Sequence, residues 1–158
     1  LGRTQSRAKE QEVEILALTK TMNPDWEASG AKLVTGEIAS WADWSEVIWV
    51  IETIKEDMQL KQELFASLDQ RVPEHIPIGS NSSGFPISKI SAGLKTAHRM
   101  FNAHYFMPAH IVPLVEVVLG EKSDPVMGEQ VCQLYRQAKK KPVLVRKDIP
   151  ATYSVQEL

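Results

Sequence analysis

Cysteine is almost absent from this chain of 158 residues, in which Cys132 stands alone. A single thiol excludes a disulfide framework, and it also excludes a metal site built from several thiolates. This cysteine usage is typical of proteins that fold in a reducing compartment, and it predicts a cytoplasmic location.

Long apolar runs are also missing. No stretch approaches the roughly 20 apolar residues that a membrane-spanning helix needs, and the polar N-terminus lacks the apolar core of a signal peptide. The formal net charge of −2 provides no excess of positive charge to attract nucleic acid or an anionic membrane. The sequence therefore predicts neither kind of partner. It also lacks an initiator Met, which suggests a fragment or a processed chain.

Positive charge is concentrated in one short cluster near the C-terminus. It comprises Lys139, Lys140 and Lys141, followed by Arg146 and Lys147. Basic residues are favourable at the C-terminal end of a helix, where the last carbonyl groups carry partial negative charge. We interpret the cluster as the solvated end of a helix.

Hydrophobic residues make up 43 % of the chain and charged residues 24 %, which is close to the composition of soluble globular domains. The length suits one domain with its own core. A loose apolar stripe predicts a helix that ends before Asn23-Pro24. Lys32–Thr35 is a short strand candidate, and the spacing of Trp41 and Trp44 predicts a short helix.

Strand and helix signals alternate along the rest of the chain. The run Val47–Ile51 is rich in β-branched residues, which is typical of a strand buried on both faces of a parallel sheet. The remaining predicted elements are a helix over 56–69, a strand over 75–79, a short helix from 86, strands over 100–104 and 114–119, a helix over 125–140 and a strand over 142–145. This order predicts an α/β fold in which helices flank a largely parallel sheet.

Polar side chains follow three consecutive predicted strands. Glu52 and Glu56 follow the first strand, a serine loop (Ser80–Gly84) follows the second, and His104 ends the third. In open sheets of this kind, ligands bind beyond the carboxyl ends of the strands. The sequence therefore predicts a site at this edge of the sheet.

His104 and Glu116 are the most informative pair of residues, with the carboxylate 12 residues after the imidazole (116 − 104). An imidazole, a carboxylate able to orient it and a loop of hydroxyls are the components of a proton-transfer site. Taken alone, a His at a strand end more often has a structural role. Ser83 is as readily explained as a turn residue as it is by a role in the site. A carboxylate within a Val-rich strand, however, requires a partner.

Metal-ligand spacing is not found in the sequence, so we predict no metal site. His75, His98 and His110 are given no role.

Four segments resemble the nucleotide-binding half of the L-3-hydroxyacyl-CoA dehydrogenase family. They read VIETIKEDMQLKQELFASLD, SNSSGFPISKI, HYFMPAHIVPLVEVV and KKPVLVRKDIP, and they follow the order of the family. The resemblance covers residues 31–150. It extends to members that act on free hydroxy acids, namely lambda-crystallin (a gulonate dehydrogenase) and carnitine dehydrogenase. It implies a Rossmann-like fold and NAD as the cofactor.

The resemblance implies catalytic roles for three residues. The family moves a hydride from the carbinol carbon of a 3-hydroxyacyl substrate to NAD while the hydroxyl proton leaves. His104 matches the general base, a task for which the ordinary imidazole pKa of about 6.5 is suited. Glu116 matches the carboxylate that fixes the imidazole tautomer, and Ser83 matches the hydroxyl that binds the substrate oxygen.

Three further residues match cofactor-binding positions of the family. Asn81 matches a residue near the nicotinamide, whereas Glu56 and Lys61 match positions that contact the nicotinamide ribose. As an alternative, Glu56 and Lys61 are ordinary charges in the first turn of a helix. The resemblance further implies a small-molecule hydroxyacyl substrate, a role in fatty acid β-oxidation and a homodimer when the chain is full length.

The sequence departs from the family pattern at both ends. It contains no G-x-G, the motif in which backbone amides hold the pyrophosphate. We therefore expect residues 1–30 to be a helical segment that follows a missing first strand and phosphate loop. Residues 31–150 would be a partial NAD-binding and catalytic domain. Residues 151–158 would be a tail that does not match the family, whose C-terminal helical domain is lacking.

One departure falls within the matching segments. Met107 occupies the position of an Asn in the family's His-x-x-Asn-Pro segment. A thioether cannot make the hydrogen bonds that an amide makes. This places the chain in a divergent branch or weakens one contact with substrate or cofactor.

Three functions are open at this point. The first is NAD-dependent oxidation of a 3-hydroxyacyl-CoA, and the second is the same mechanism on a free 3-hydroxy acid such as gulonate or carnitine. The third is a non-catalytic remnant used as a structural or binding protein, for which the missing phosphate loop is the argument.

Overall fold

The computed structural model describes residues 1–25, 28 and 30–148. It divides into two compact units, of which the first comprises Leu1–Asp43 and the second begins at Trp44. The domain division expected from the sequence, at residues 30 and 31, stays a prediction. The tail expected over 151–158 lies outside the described residues.

One long helix, α1 (Gln5–Met22), dominates the first unit. The hydroxyl of Thr4 accepts a hydrogen bond from the amide of Arg7 and caps its first turn. The helix ends at Asn23, as predicted, where the last backbone N–H still bonds to the carbonyl of Thr19.

Two short elements predicted in this region do not form. Residues 32–35 have no strand partner, and strand-like pairing occurs instead at the bridge between Gly2 and Glu37. No helix forms at Trp41. Its ring packs on Gly36, where an added Cβ would lie 2.6 Å from the ring. Apolar spacing over so few residues does not specify a backbone without a packing partner.

The second unit follows the predicted alternation of strands and helices. Its strands are β1 (Val50–Glu52), β2 (Ile78–Ser80), β3 (Met100–Tyr105), β4 (Leu114–Leu119) and β5 (Lys141–Val145), and its helices are α2 (Met58–Arg71), α3 (Ile87–Ile90) and α4 (Pro125–Gln137). The bounds of β3, β4 and β5 agree with the prediction to within one residue.

β1 and β2 are shorter than predicted, because each extends only as far as it pairs with the other. A turn closed by a hydrogen bond from the amide of Ile76 to the carbonyl of Pro73, at 3.0 Å, keeps the preceding residues out of β2. The carboxylate of Asp57 accepts from the amide of Leu60 and caps α2, which begins at Met58 rather than at residue 56.

Chain direction changes once across the sheet, whose strand order is β1-β2-β3-β4-β5. The pairs β1–β2, β2–β3 and β4–β5 are parallel, and β3–β4 is antiparallel. A parallel crossover needs about a dozen or more residues, but only residues 106–113 join β3 to β4. The chain therefore reverses there. The result is the largely parallel, Rossmann-like sheet that was predicted.

Both faces of the sheet are covered. On one face, β3 and β4 pack against α4 in a buried apolar cluster of Phe101, Ala103, Val115, Val117, Leu119, Val131, Cys132 and Tyr135. On the other face, α3 contacts β3 and α2. Each fully buried aliphatic or aromatic side chain contributes about 1.5–3 kcal/mol relative to its exposed state, so these layers fix the strands that carry the site.

Arg99 ties the end of α2 to the start of β3. Its guanidinium is fully buried and donates to the carbonyl oxygens of Val72 and Ile76 at 3.0 and 3.1 Å, and to the hydroxyl of Thr96 at 2.7 Å. Burial lowers the pKa of Arg99, and the negative charges of Asp69 and Glu74 offset part of that effect. Because its guanidinium contacts the carbonyl of Val72, Arg99 neutralises the partial negative charge at the C-terminal end of α2.

Replacement of Gly79 by Ala tests the packing of β2. The added Cβ would lie 2.5 Å from the ring of Trp49, and that ring is held by its N–H bond to the hydroxyl of Tyr135 at 3.2 Å. We expect Gly79→Ala to lower the free energy of unfolding by about 1–3 kcal/mol in urea denaturation. Gly84→Ala is the matched control, because its added Cβ would lie 3.4 Å from Oε1 of Glu56, which is an ordinary contact distance. Equal losses in the two variants would contradict the packing described.

Candidate active site

The carboxyl ends of β1, β2 and β3 meet at one edge of the sheet, as the sequence predicts. Glu52, Ser80 and Asn102 are register partners across these strands, and His104 follows two residues later on β3. Register partners have side chains on the same face of a sheet. Because β4 is antiparallel to β3, its first residues reach the same edge. We call this the site edge.

His104 and Glu116 lie directly opposite each other on β3 and β4. Nδ1 of the imidazole is 3.2 Å from Oε2 of the carboxylate. The Glu116 side chain is 2 % exposed and that of His104 is 15 % exposed, so the imidazole retains access to solvent. The ring of Phe106 lies edge-on to it, with 4.9 Å between ring centroids. The structure thus brings together the predicted base and its orienting carboxylate.

This pair can accept a proton. If Nδ1 carries the proton and donates a hydrogen bond to Glu116, the lone pair of Nε2 is available to a ligand. The same carboxylate would stabilise the imidazolium that forms on protonation. The arrangement therefore has the chemistry of a general base.

The serine loop is held against the end of β3. The amide of Asn81 donates to the carbonyl of Glu52 at 2.9 Å, and its side-chain Oδ1 accepts from the amide of Tyr105, the residue after His104, at 3.0 Å. Ser83 is exposed in the same loop. The predicted contacts of Asn81 with the nicotinamide and of Ser83 with the substrate stay predictions.

Glu56 lies between β1 and α2, in contact with the serine loop. Its Oε1 accepts from the hydroxyl of Ser82 and from the amide of Gly84, and its Oε2 is 3.3 Å from Nζ of Lys61. Burial raises the pKa of this carboxyl, but the two hydrogen bonds and the charge of Lys61 outweigh burial and lower it below its ordinary value. The side chain is 42 % exposed, so an ionised acceptor is accessible at the site edge.

Lys61 is buried and is not a solvated charge on a helix. Its side chain is 1 % exposed, and its ammonium contacts both carboxylate oxygens of Glu52, at 2.8 and 2.9 Å, in addition to Glu56. The interpretation of Lys61 as an ordinary first-turn charge is therefore wrong. Its predicted contact with the nicotinamide ribose stays a prediction.

Two buried polar residues at the site edge had no predicted individual role: Glu52, which was placed at this edge only by its position after the first predicted strand, and Asn102, which was not predicted to belong to the site. Glu52 is 4 % exposed. Its sequence signal was its position at the end of an apolar run, because a carboxylate buried there requires a partner. Asn102 is fully buried in β3 and donates from Nδ2 to the carbonyl of Phe85 at 3.0 Å. Its Oδ1 has no hydrogen-bond partner in the described part of the chain. An amide within an apolar strand was the one available signal.

Residues 106–113, which we call the proline loop, connect the strand of the base to the strand of its partner. Nζ of Lys140 donates to the carbonyl oxygens of Ala109 and Val112. Lys140 is part-buried and anchors the loop, which differs from its interpretation as a solvated helix end. The side chain of Met107 is 81 % exposed in this loop.

Residues 1–25, 28 and 30–148 contain no group of three or more His, Cys, Asp or Glu side chains that could hold a metal ion. Over the same residues, no helix combines the length and the apolar character needed to cross a bilayer.

The donor and acceptor set at the site edge fits the nicotinamide end of NAD. An ionised, accessible carboxylate such as Glu56 can accept hydrogen bonds from ribose hydroxyls, and the side-chain nitrogen of Asn81 is a donor on the same loop. The glycine-rich element that would hold the pyrophosphate is not in the sequence. Glu56 and Asn81 are thus the residues that could contact the cofactor here, whereas the buried Lys61 could act only through Glu56.

Glu56→Gln is expected to lower the free energy of unfolding at neutral pH, because a neutral amide does not pair with Lys61. A carboxyl whose pKa is lowered by folding stabilises the folded state above its ordinary value of 4.5, and this contribution is lost as the pH falls through the folded-state pKa. In urea denaturation, the difference from the parent chain should be largest near neutral pH and should disappear in strong acid.

The control for this pH series is Glu63→Gln, at an exposed position on α2. It should change the free energy of unfolding by less than about 0.5 kcal/mol. A loss for Glu56→Gln that is the same at every pH would contradict the role assigned to its charge.

Comparison with known proteins identifies the fold family. Residues 3–149 match the family model described as 3-hydroxyacyl-CoA dehydrogenase, NAD binding domain. The chain is 33 % identical over 115 residues to a 5-formyl-3-hydroxy-2-methylpyridine 4-carboxylate 5-dehydrogenase of Mesorhizobium japonicum, a match covering 73 % of this chain and 36 % of the relative. It is 35 % identical over 102 residues to an L-carnitine dehydrogenase of Nocardiopsis dassonvillei, covering 65 % and 31 %.

A solved structure gives the same result. The crystal structure of 3-hydroxybutyryl-CoA dehydrogenase from Escherichia coli superposes with a TM-score of 0.70 at 27 % identity, covering 87 % of this chain and 31 % of that chain. The chain spans about a third of the length of each of these three proteins. The match over residues 3–149 shows that this chain belongs to the family of NAD-binding domains of 3-hydroxyacyl-CoA dehydrogenases.

Proposed function

We propose that this chain is the cofactor-binding and proton-transfer part of an NAD-dependent dehydrogenase, which oxidises the 3-hydroxyl of a 3-hydroxyacyl-CoA to the 3-oxoacyl-CoA. The observation that carries the proposal is the 3.2 Å contact between Nδ1 of His104 and Oε2 of Glu116 at the site edge. A base that is oriented by a buried carboxylate and retains some exposure to solvent suits the removal of a hydroxyl proton.

His104 acts as the general base in this proposal. Its Nε2 removes the proton of the substrate hydroxyl, while Glu116 holds the imidazole through Nδ1 and stabilises the imidazolium. Ser83 donates a hydrogen bond to the same substrate oxygen and so orients it toward the base. The exposure of Ser83 and the contact of its neighbour Asn81 with Tyr105 support this placement.

Glu56, Lys61 and Asn81 bind the nicotinamide end of the cofactor in this proposal. NAD, when bound, supplies the hydride acceptor. Glu56 accepts hydrogen bonds from the ribose hydroxyls, and the ammonium of Lys61, at 3.3 Å from its Oε2, keeps that carboxylate charged. Lys61 would contribute through Glu56, because its own side chain is 1 % exposed.

A free 3-hydroxy acid is the second candidate substrate. It is favoured by the 35 % identity to a protein named L-carnitine dehydrogenase. It is also favoured by Met107, whose exposed thioether cannot make the hydrogen bonds of the amide found at this position of the family pattern. The cytoplasmic location, the role in β-oxidation and the homodimer of the full-length protein stay predictions.

His104→Gln is expected to abolish turnover without loss of cofactor binding. Removal of a general base lowers kcat by about 10²- to 10⁴-fold, whereas NADH affinity, followed by NADH fluorescence, should change by less than about three-fold since the cofactor contacts are retained. His110→Gln, at an exposed His of the proline loop, is the control and should keep turnover.

Two outcomes would contradict this assignment. Full turnover by His104→Gln would remove His104 from the mechanism. Failure of the unaltered chain to bind NADH would favour the non-catalytic alternative for this chain.

Substrate class is tested by the ratio of kcat/KM for a 3-hydroxyacyl-CoA to that for free carnitine, gulonate or 3-hydroxybutyrate. We expect the thioester to be favoured by at least about 10-fold, a difference of 1.4 kcal/mol in transition-state binding. A ratio below one would establish the free acid as the substrate class.

A further inference from the structure

Glu52 accepts a hydrogen bond at every acceptor position of its carboxylate. Oε1 accepts from the amide of Ile54 at 2.5 Å and from the ammonium of Lys61 at 2.8 Å. Oε2 accepts from the same ammonium at 2.9 Å and from the hydroxyl of Ser80 at 2.6 Å. An ionised carboxylate has about four acceptor positions, so this one is saturated. Glu52 is 4 % exposed and has no capacity left for a ligand.

One path of hydrogen bonds runs from Glu52 through Ser80 to Ser82. The hydroxyl of Ser80 donates its single proton to Glu52, so its lone pairs are free to accept. It accepts from the amide of Ser82 at 3.2 Å. The first turn of the serine loop therefore depends on the position of Glu52.

A second path runs through Lys61 and Glu56. The ammonium that contacts Glu52 also lies 3.3 Å from Oε2 of Glu56. The other oxygen of Glu56 accepts from the hydroxyl of Ser82 and from the amide of Gly84 at 3.2 Å. Both paths thus converge on Ser82 from different directions.

The two paths hold the backbone on either side of Ser83. Ser82 is bound before it and Gly84 after it, and the hydroxyl of Ser82 also accepts from the amide of Phe85 at 2.9 Å. The residue in the middle, Ser83, is exposed. Such an arrangement fixes the backbone on both sides of Ser83.

Stability alone does not account for a buried ion pair here. Desolvation opposes burial of both charges, and replacement of such a pair by apolar residues is often neutral or stabilising. We propose that Glu52 is a positioning residue, which fixes Ser83 at the site edge through Ser80 and through Lys61 and touches neither substrate nor cofactor. The importance of Ser83 rests on the proposed function, but the positioning itself can be measured without any ligand.

Amide hydrogen exchange, followed by NMR on the 158-residue chain, tests this inference. In Glu52→Gln, an amide group replaces the carboxylate and presents two N–H donors to neighbours that are all donors, which disrupts both paths. Exchange at the amides of Ser82 and Phe85 should accelerate by at least about ten-fold more than exchange at Val117 in the centre of β4. The ratio separates local loosening from global destabilisation.

Ser80→Ala interrupts the first path and leaves the second intact. We expect faster exchange at the amide of Ser82 but not at that of Phe85. This variant also retains the buried pair of Glu52 and Lys61, so it serves if Glu52→Gln does not fold. Glu63→Gln on α2 is the charge-matched control and should change neither amide.

Equal acceleration at Ser82, Phe85 and Val117 would overturn the inference, because it would show a purely structural role. Unchanged exchange at Ser82 in Ser80→Ala would overturn it as well. The predicted pattern in a chain that does not bind NADH would support the positioning while the proposed function failed. Turnover with NADH in the absence of this exchange pattern would support the proposed function and overturn the positioning role of Glu52.

Discussion

The reversal of chain direction between β3 and β4 is the constraint on which the site depends. The short proline loop cannot cross over, so β4 returns beside β3, and antiparallel pairing places the Cβ atoms of opposed residues about 4.5–5.5 Å apart. That distance allows His104 and Glu116 to meet. A shift of the register by one residue would move Glu116 to the face that packs on α4. The apolar partners Val115 and Val117, fully buried on that face, oppose such a shift.

Buried charges fix α2 to the sheet at both of its ends. Near its N-terminal end, Lys61 is bound by Glu52 of β1, and at its C-terminal end the carbonyl of Val72 is bound by Arg99. Each of these buried cations contacts several acceptors, so neither is left with an uncompensated charge. Because Glu56 precedes α2 directly, its position at the site edge follows from the same contacts.

The order of elements could be predicted from the sequence because buried strands and amphipathic helices have different periodicities. β4 was predicted to the residue, since Leu114–Leu119 is an apolar run interrupted only by Glu116. The predictions of a strand at 32–35 and of a helix at Trp41 were wrong. Such short segments take their structure from packing partners, which a local sequence pattern does not reveal. Helix α2 begins two residues later than predicted, because Asp57 caps its first turn.

The candidate site was only partly predictable. The pairing of His104 with Glu116 was predicted from residue type and from family resemblance, but not the antiparallel register that sets them opposite each other. The roles of Ser83, Asn81, Glu56 and Lys61 came from the resemblance. All of these roles stay predictions. The burial of Lys61 could not be predicted, because it depends on the turn that brings α2 back onto the end of β1. The same applies to Asn102, whose contact with Phe85 joins two segments distant in sequence.

The hydrogen bonds of the serine loop have a consequence for the entropy of ligand binding. Ordering a flexible loop on association opposes binding, because the backbone loses conformational freedom. The backbone around Ser83 is already held at Ser82 and Gly84, so the cost of ordering this backbone falls on folding and not on binding. The proline loop instead exposes Met107 and Ile111 to solvent. A ligand that contacts Ser83, as proposed above, would meet a hydroxyl whose backbone is already in place.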